Sequence, residues 1–569
     1  MASTRSSRNA GNARSSASVP PSAATVVVRE LTKHRGSQPV LEAVDLTVGP
    51  ESRLGVLGPN GVGKTTLLRI LAGLEAPDSG SVSRLPPTAT VGYLAQERDT
   101  LEGESLARFL ARKTGVSEAE QALDDAAAGL AGGAPSADDT YAQALERYLA
   151  LGGPDLEARA AVVCAELGLP LELLQLPVSQ LSGGQGARAA LAALLLSRFD
   201  IVLLDEPTND LDFDGLERLE AFCEQRVGGL VVVSHDRAFL RRIVTSIAEI
   251  GEGSHRMTLF RGGWDAYLEA REVARRHAEE AHYEYLSARD RLTARERQQR
   301  QWAVSGVRKE AKNPKDNDKA QRDFRINRTE KQASKVRQTQ NALERLTPVD
   351  KPWEPWQLRL QIPSAPRSGD VVARLAGAVL ERGTWQLGPV DLEIAWGDRI
   401  GILGPNGSGK TTLLGAILGT VPLAGGTRWL GPGVSVGELG QTRHRFEAGA
   451  PLVTSFLRAS GLLLAEARSL LAKFALGAGD VERPFETLSP GERTRAELAL
   501  LTSKGTNCLV LDEPTNHLDL PAIEQLEAAL EIWDGTLVLV THDRRLLEAV
   551  SLTRTIELGE GGGPASAAS

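Results

Sequence analysis

The chain has 569 residues, of which 41% are hydrophobic and 24% charged, and its formal net charge is −8. That length exceeds one hydrophobic core and implies three or four domains, while the composition excludes a wholly disordered chain. An acidic total argues against a nucleic-acid partner unless the positive charge is gathered in one place.

Residues 1–25 carry Arg5, Arg8 and Arg14 without an acid and lack the apolar core of a secretory signal. They read first as a disordered tail and second as an organelle transit peptide. No apolar run approaches the ~18 residues of a membrane span; the best, AALAALLL at 189–196, is far shorter. No membrane insertion and a cytoplasmic location are therefore expected. Cys164, Cys223 and Cys508 are too far apart in sequence for a metal or redox motif, and buried thiols are expected.

A first domain is expected over 26–265. RLGVLGPNGVGKTTLLRIL, from Arg53 to Leu71, reads as an apolar strand, a glycine turn and a helix, the context that identifies a phosphate loop. Gly58, Gly61 and Gly63 let the backbone N–H groups converge on phosphate oxygens, and the helix adds its positive end. Lys64 supplies charge for the β- and γ-phosphates and Thr65 a hydroxyl for Mg²⁺; Asn60 and Thr66 complete the loop. Gln96 follows Lys64 by 32 residues and is a candidate contact to nucleotide and metal. Segment 97–180 holds 15 acidic and 6 basic residues and reads as an enlarged helical subdomain with a break at AGGAPSADD, not as a basic arm. LSGGQ at 181–185 looks like a second anion-binding turn at a helix start, with Ser182 and Gly184 as its contacts. IVLLDE, 201–206, reads as a strand buried on both faces. It ends in Asp205, a candidate Mg²⁺ holder, and Glu206, a candidate general base. His235 ends the next apolar strand and is placed to reach the γ-phosphate.

A linker follows over 266–350. Residues 267–303 read as one charged helix, broken at Ser305–Gly306 and KNPKDND. A return helix from about 320 to 346 carries Ile326, Ala333, Val336 and Leu343 at seam spacing. The expectation is an antiparallel hairpin with its tip near Ala303–Phe324. Segment 289–345 has 17 basic and 8 acidic residues, a net of +9, so the remainder of the chain carries −17. Such contrast is an electrostatic footprint for phosphate backbones. Trp302 and Phe324 are its few aromatics, so folded RNA read by charge and shape is favoured over stacked single strands.

After a connector at 351–370, a second domain is expected over 371–560, with a short tail at 561–569. It repeats the first: Gly404, Asn406, Gly407, Gly409, Lys410, Thr411 and Thr412; Gln441; Ser489 and Gly491 in LSPGE; Asp512, Glu513 and His542. The serine-to-aspartate interval is 23 residues in both copies, and the aspartate-to-histidine interval is 30 in both. Thr411, Gln441 and Asp512 are the metal candidates here, with Glu513 and His542 the catalytic pair. The fold class is α/β, with two phosphate-loop domains joined by a long helical hairpin. A second anion-binding turn makes sense if it caps the nucleotide of the other domain. Two domains facing head to tail in one monomer would bury two ATP molecules. Lys64 would pair with Ser489 and Lys410 with Ser182. Glu492 replaces Gln185 and adds negative charge, so unequal turnover is expected.

LSGGQ, LLDEPTNDLD and SHD, with LSPGE, VLDEPTNHLD and THD, resemble the ATP-binding cassette superfamily. EPTNHLD at 513–519, two cassettes in one chain and no membrane segment resemble its ABC-F class, over roughly residues 26–560. That resemblance implies an ATP hydrolase that binds the ribosome, modulating translation or protecting the ribosome from antibiotics. It implies that the linker enters the ribosomal exit site beside the peptidyl tRNA and ribosomal RNA. LSPGERTR further resembles an actinobacterial macrolide-type resistance group. Asp210 stands where the second copy has His517, in a loop that contacts the opposite cassette. Cassettes usually stack adenine on an aromatic residue before the loop; the aligned positions hold His34 and Leu380, which implies loose base selectivity, above all in the second site. The competing reading is the ATPase subunit of an exporter with separate membrane subunits; a third is a DNA-associated ATPase.

Overall fold

The computed structural model describes residues 24–311 apart from 37, 96–99, 133–136, 210 and 252; residues 334 and 337–346; and residues 366–568 apart from 383–384, 440–445, 447–448, 475, 504, 517 and 560–563. Gln96, Gln441, Asp210, His517, the tail 1–23 and residues 312–333 of the linker lie outside the described residues.

Each cassette is built on one mixed sheet. In the first the strand order is Val91–Leu94, Ile201–Asp205, Gly229–Val233, Arg53–Leu57, Ser246–Ile250 and Met257–Arg261. The first five are mutually parallel and only the last is antiparallel. The central strands are continuously apolar because both faces are covered. Ile201 and Leu203 pack with Leu67, Leu68 and Ile70 of the helix Lys64–Ala72. Val202 and Leu204 point the other way, into a core with Leu191, Leu194 and Phe239. The second cassette repeats the order with Val436–Leu439, Cys508–Asp512, Thr536–Val540, Arg399–Leu403, Arg554–Leu558 and Pro564–Ala568. A three-stranded antiparallel sheet accompanies each: Gln38–Val48, Thr25–Arg35 and Ser79–Leu85 in the first, Trp385–Ala395, Val371–Arg382 and Gly425–Leu430 in the second.

This order fixes the site. The strands ending in the carboxylates, the histidines and the phosphate loops are neighbours and parallel, so all three emerge at one carboxyl edge, where ligands bind in open α/β sheets.

The segment between Gln96 and Ser182 is helical: Leu106–Lys113, Val116–Ala131, Ala137–Ala150 and Leu156–Glu166. Helix Ala137–Ala150 buries no residue. The smaller counterpart in the second cassette holds Leu452–Ser460, Leu464–Lys473 and Ala478–Val481.

Residues Asp265–Gln357 form a separate compact unit. Helix Gly263–Ala311 is 49 residues long, about 74 Å at 1.5 Å per residue. It runs through Ser305–Gly306, where the sequence reading put a break. One interior glycine costs a helix only about 1 kcal/mol, which a long run of good helix formers outweighs. Residues 337–344 are helical and return beside it: the Thr339 hydroxyl meets Gln299 Oε1 at 3.0 Å and Gln340 Nε2 donates to Glu296 Oε1 at 3.0 Å. The described part of the seam is thus joined by side-chain hydrogen bonds. Of the four apolar seam positions expected, only Leu343 lies among the described residues.

Candidate nucleotide site between the cassettes

In both loops glycine does what no other residue could. Gly404 has φ of 144°, and a Cβ there would sit 2.4 Å from the Leu558 carbonyl oxygen; Gly58, at 149°, would meet the Ile250 carbonyl oxygen at 2.8 Å. A Gly404→Ala variant should therefore fold with a displaced loop and lose nucleotide binding, read by titration with a fluorescent ATP analogue. Lys64 Nζ donates to the carbonyls of Gly58 (2.7 Å) and Pro59 (3.2 Å). Lys410 makes the same pair with Gly404 (2.7 Å) and Pro405 (3.1 Å). Burial pushes both amines below the usual lysine range, against the pull of nearby carboxylates.

Beside each lysine stand a hydroxyl and a carboxylate. Thr411 Oγ1 donates to Asp512 Oδ2 at 2.8 Å. Asp205 accepts from Thr65 and, at 3.1 Å, from the Tyr93 hydroxyl. Burial raises both aspartates. Oxygen donors at the end of a phosphate cradle are the set that suits Mg²⁺.

Glu206 and Glu513 adopt φ of 50° and 49°, a left-handed conformation that costs a non-glycine residue about 1–3 kcal/mol and clusters at functional sites. Their N–H groups keep the ladder bond, to Val233 and Val540, each at 2.8 Å. The twist aims each carboxylate at the histidine loop. The N–H of His235 donates to Glu206 Oε2 and that of His542 to Glu513 Oε2, both at 3.3 Å. The rings lie alongside, with Nε2 3.2 Å from Glu206 Oε1 and 3.5 Å from Glu513 Oε1. Burial, with Lys64, holds His235 well below its usual range, and burial takes His542 to about 4, so both imidazoles are neutral. Burial also pushes Glu206 up to about 7.

The two cassettes meet at these loops. Asp212 caps the helix Phe213–Gln225, with Oδ1 accepting from the Gly215 N–H at 3.0 Å, while Oδ2 accepts from the Asn406 N–H of the second phosphate loop at 2.9 Å. Asp519 repeats this: Oδ1 caps through Ala522 at 3.3 Å and Oδ2 lies 3.5 Å from the Asn60 N–H. A Cβ on Gly184 would lie 3.0 Å from Asn406 Cβ, so the LSGGQ turn of the first cassette stands over the phosphate loop of the second. Phe213 meets the His542 ring edge-on, 5.2 Å between centroids. Together they enclose a cavity of about 540 Å³, lined by Gly184, Trp385, Lys410, Glu513 and His542 among others. The head-to-tail pocket expected from the sequence is thus built from both cassettes.

Some functional candidates escaped the sequence reading. Leu380 is buried in the core, but Trp385, on the next strand, lines the cavity, and its ring occupies the space a Gly409 Cβ would take, 2.3 Å from ring carbon Cζ2. The second site therefore has an aromatic ring beside its phosphate loop, five residues beyond the aligned position and across the hairpin. Over Gly63 that space holds the aliphatic Val40. Tyr93 and Glu438 hold the same place in GYL and GEL; the phenol bonds Asp205, while Glu438 adds to the upward shift of Asp512. Glu492 folds back so that Oε2 accepts the Ser489 N–H at 2.7 Å, as Gln185 does for Ser182 at 2.9 Å. Its carboxylate completes a capping box, with Arg483 3.7 Å away.

Paired phosphate loops, each met by a capping aspartate of the other domain, with the second also facing the first domain's LSGGQ turn, define a tandem-cassette nucleotide-binding protein. The ABC transporter family model matches residues 41–209 and 387–516. The chain is 34% identical over 562 residues to the tylosin resistance ATP-binding protein TlrC of Streptomyces fradiae, covering 93% of this chain and 96% of TlrC. It is 31% identical over 539 residues to the energy-dependent translational throttle protein EttA of Mycobacterium tuberculosis, covering 92% and 89%. The structure of an RNase-L inhibitor matches in fold with a TM-score of 0.51 at 20% identity, covering 95% of this chain and 90% of that one. The chain belongs to the ABC-F class of ATP-binding cassette ATPases and is an ATP hydrolase. Among the described residues no helix is long and apolar enough to cross a membrane.

Proposed function

We propose that the protein is an ATP-driven clamp that engages the ribosome through the basic hairpin 289–345 and lets go on hydrolysis, modulating translation or shielding the ribosome from an antibiotic. The observation that carries this is the charge contrast: +9 on the hairpin segment against −17 elsewhere. The throttle-protein and tylosin-resistance names of its relatives support it. Ribosomal and peptidyl-transfer RNA are the partners this charge would suit. The exporter reading would need a surface that grips a membrane subunit, which no observation favours.

In this reading Lys64 and Lys410 neutralise the β- and γ-phosphates, and the loop N–H groups of Asn60 to Thr66 and Asn406 to Thr412 orient them. Ser182 and Gly184 close the second site from the opposite cassette, and Ser489 and Gly491 close the first. Thr65 with Asp205, and Thr411 with Asp512, would hold Mg²⁺, with Gln96 and Gln441 as further contacts. When bound, the ion draws charge from the bridging phosphate oxygens. Glu206 and Glu513 orient the attacking water and take its proton; neutral His235 and His542 are placed beside the γ-phosphate. Trp385 stacks the base in the second site. Trp385→Ala removes a contact worth about 1–3 kcal/mol, so the nucleotide affinity of that site should fall about 10-fold while Val40→Ala changes the first site little. Equilibrium titration with ATP, in variants bearing Lys64→Ala or Lys410→Ala to isolate one site, checks this. Sedimentation with ribosomes in ATP, ADP and no nucleotide tests the clamp itself.

A further inference from the structure

The arginine two residues after each histidine reaches into the other cassette. Arg237 pairs with Glu527, and Arg544 Nη1 donates to Glu220 Oε1 at 3.1 Å. The glutamates are equivalent, each eight residues past the capping aspartate, Asp519 or Asp212. The first pair is largely shielded, with Arg237 and Glu527 12% and 13% exposed; in the second Glu220 is 2% exposed and Arg544 35%. Such shielding gives a paired charge far more influence than a surface ion pair has.

Each glutamate sits on the helix whose capping aspartate faces the opposite phosphate loop. Helix Leu520–Glu531 is therefore held by the first cassette at two points, Asp519 against Asn60 and Glu527 against Arg237. Helix Phe213–Gln225 is held by the second in the same way, Asp212 against Asn406 and Glu220 against Arg544. One contact reports on the phosphate loop and the other on the histidine loop. Arg237 is the first residue of the helix capped by Asp236, which directly follows His235. A shift of His235 therefore moves Arg237 with it.

We infer that Arg237 and Arg544 are positioning residues: the reciprocal pairs Arg237–Glu527 and Arg544–Glu220 tie each catalytic histidine loop to the opposite cassette, so that turnover in one site depends on the seating of both halves. The inference rests on ATP hydrolysis at sites shared by the cassettes and not on the ribosomal reading. The pairs are not equal. Glu220 also binds Arg242 of its own cassette, so it stays neutralised when Arg544 leaves. The Arg237–Glu527 pair is the cleaner one to test.

The experiment is a charge swap measured on the full chain without ribosomes. Arg237→Glu and Glu527→Arg should each lower kcat for ATP about 10-fold or more with KM changed less than about 3-fold. The double variant Arg237→Glu with Glu527→Arg should return kcat to within about 3-fold of the parent, the coupling that a double-mutant cycle isolates. Melting curves identify any single variant that has unfolded, and the swap then decides alone. Single variants that fold and turn over at the parental rate would overturn the inference. So would a folded double variant as slow as its singles. Because no ribosome is present, failure here leaves the hairpin reading untouched.

Discussion

Glu206→Gln combined with Glu513→Gln is expected to reduce ATP turnover by at least about 100-fold, the usual span of general base catalysis being about 10²–10⁴, while ATP still binds. The expectation follows from geometry. Each carboxylate is aimed by a left-handed backbone turn and lies against the histidine loop. The amide is isosteric, so it preserves shape but cannot take a proton. Glu206 and Glu513 pull the two lysines upward, but neither carboxylate takes part in the lysine–carbonyl contacts or the glycine cradle, so the nucleotide should be retained and the cassettes should stay closed. In cell extracts the double variant should then remain with ribosomes in sucrose gradients containing ATP. Equal sedimentation of variant and parent under all nucleotide conditions would overturn the clamp.

The second large effect is expected from the hairpin. Replacing residues 289–345 by a short Gly/Ser segment should abolish ribosome association and leave basal ATP hydrolysis within about 3-fold, because no catalytic candidate lies in that segment. A milder version neutralises Arg289, Arg291, Arg295 and Arg297. Each phosphate contact removed should reduce the dependence of log K on log salt by about 0.7–0.9. Binding that survives the replacement, or weakens with an unchanged salt slope, would refute an RNA-facing role for this segment.

The tandem repeat made much of the site legible. Matching intervals put Lys64, Asp205, Glu206 and His235 on neighbouring strand ends, because a parallel sheet converts sequence order into one functional edge. Turn residues at the interface were legible too: a redundant anion-binding turn in each half implied exchange between halves, and Gly184 stands over Asn406 in the second site. What sequence could not deliver was register across hairpins. Trp385 was missed because alignment in the strand points to Leu380, whereas the ring reaches the loop from the partner strand, where Trp385 pairs with Arg382. Charge alone also gave no sign that the Glu492 carboxylate is taken up by its own helix start. The left-handed turns at Glu206 and Glu513 leave no trace in residue type, since glutamate is not a residue that favours them.

Asp212 and Asp519 give each of their two oxygens a different employer: one ends a helix at home and the other reaches the neighbour. Loss of a capping side chain alone costs about 0.5–2 kcal/mol, so local folding and mutual docking of the lobes draw on the same group. A half-molecule produced alone would leave that outer oxygen to water and its own phosphate loop without a visitor. Splitting this chain therefore yields two looser fragments, whose order should return when they are mixed.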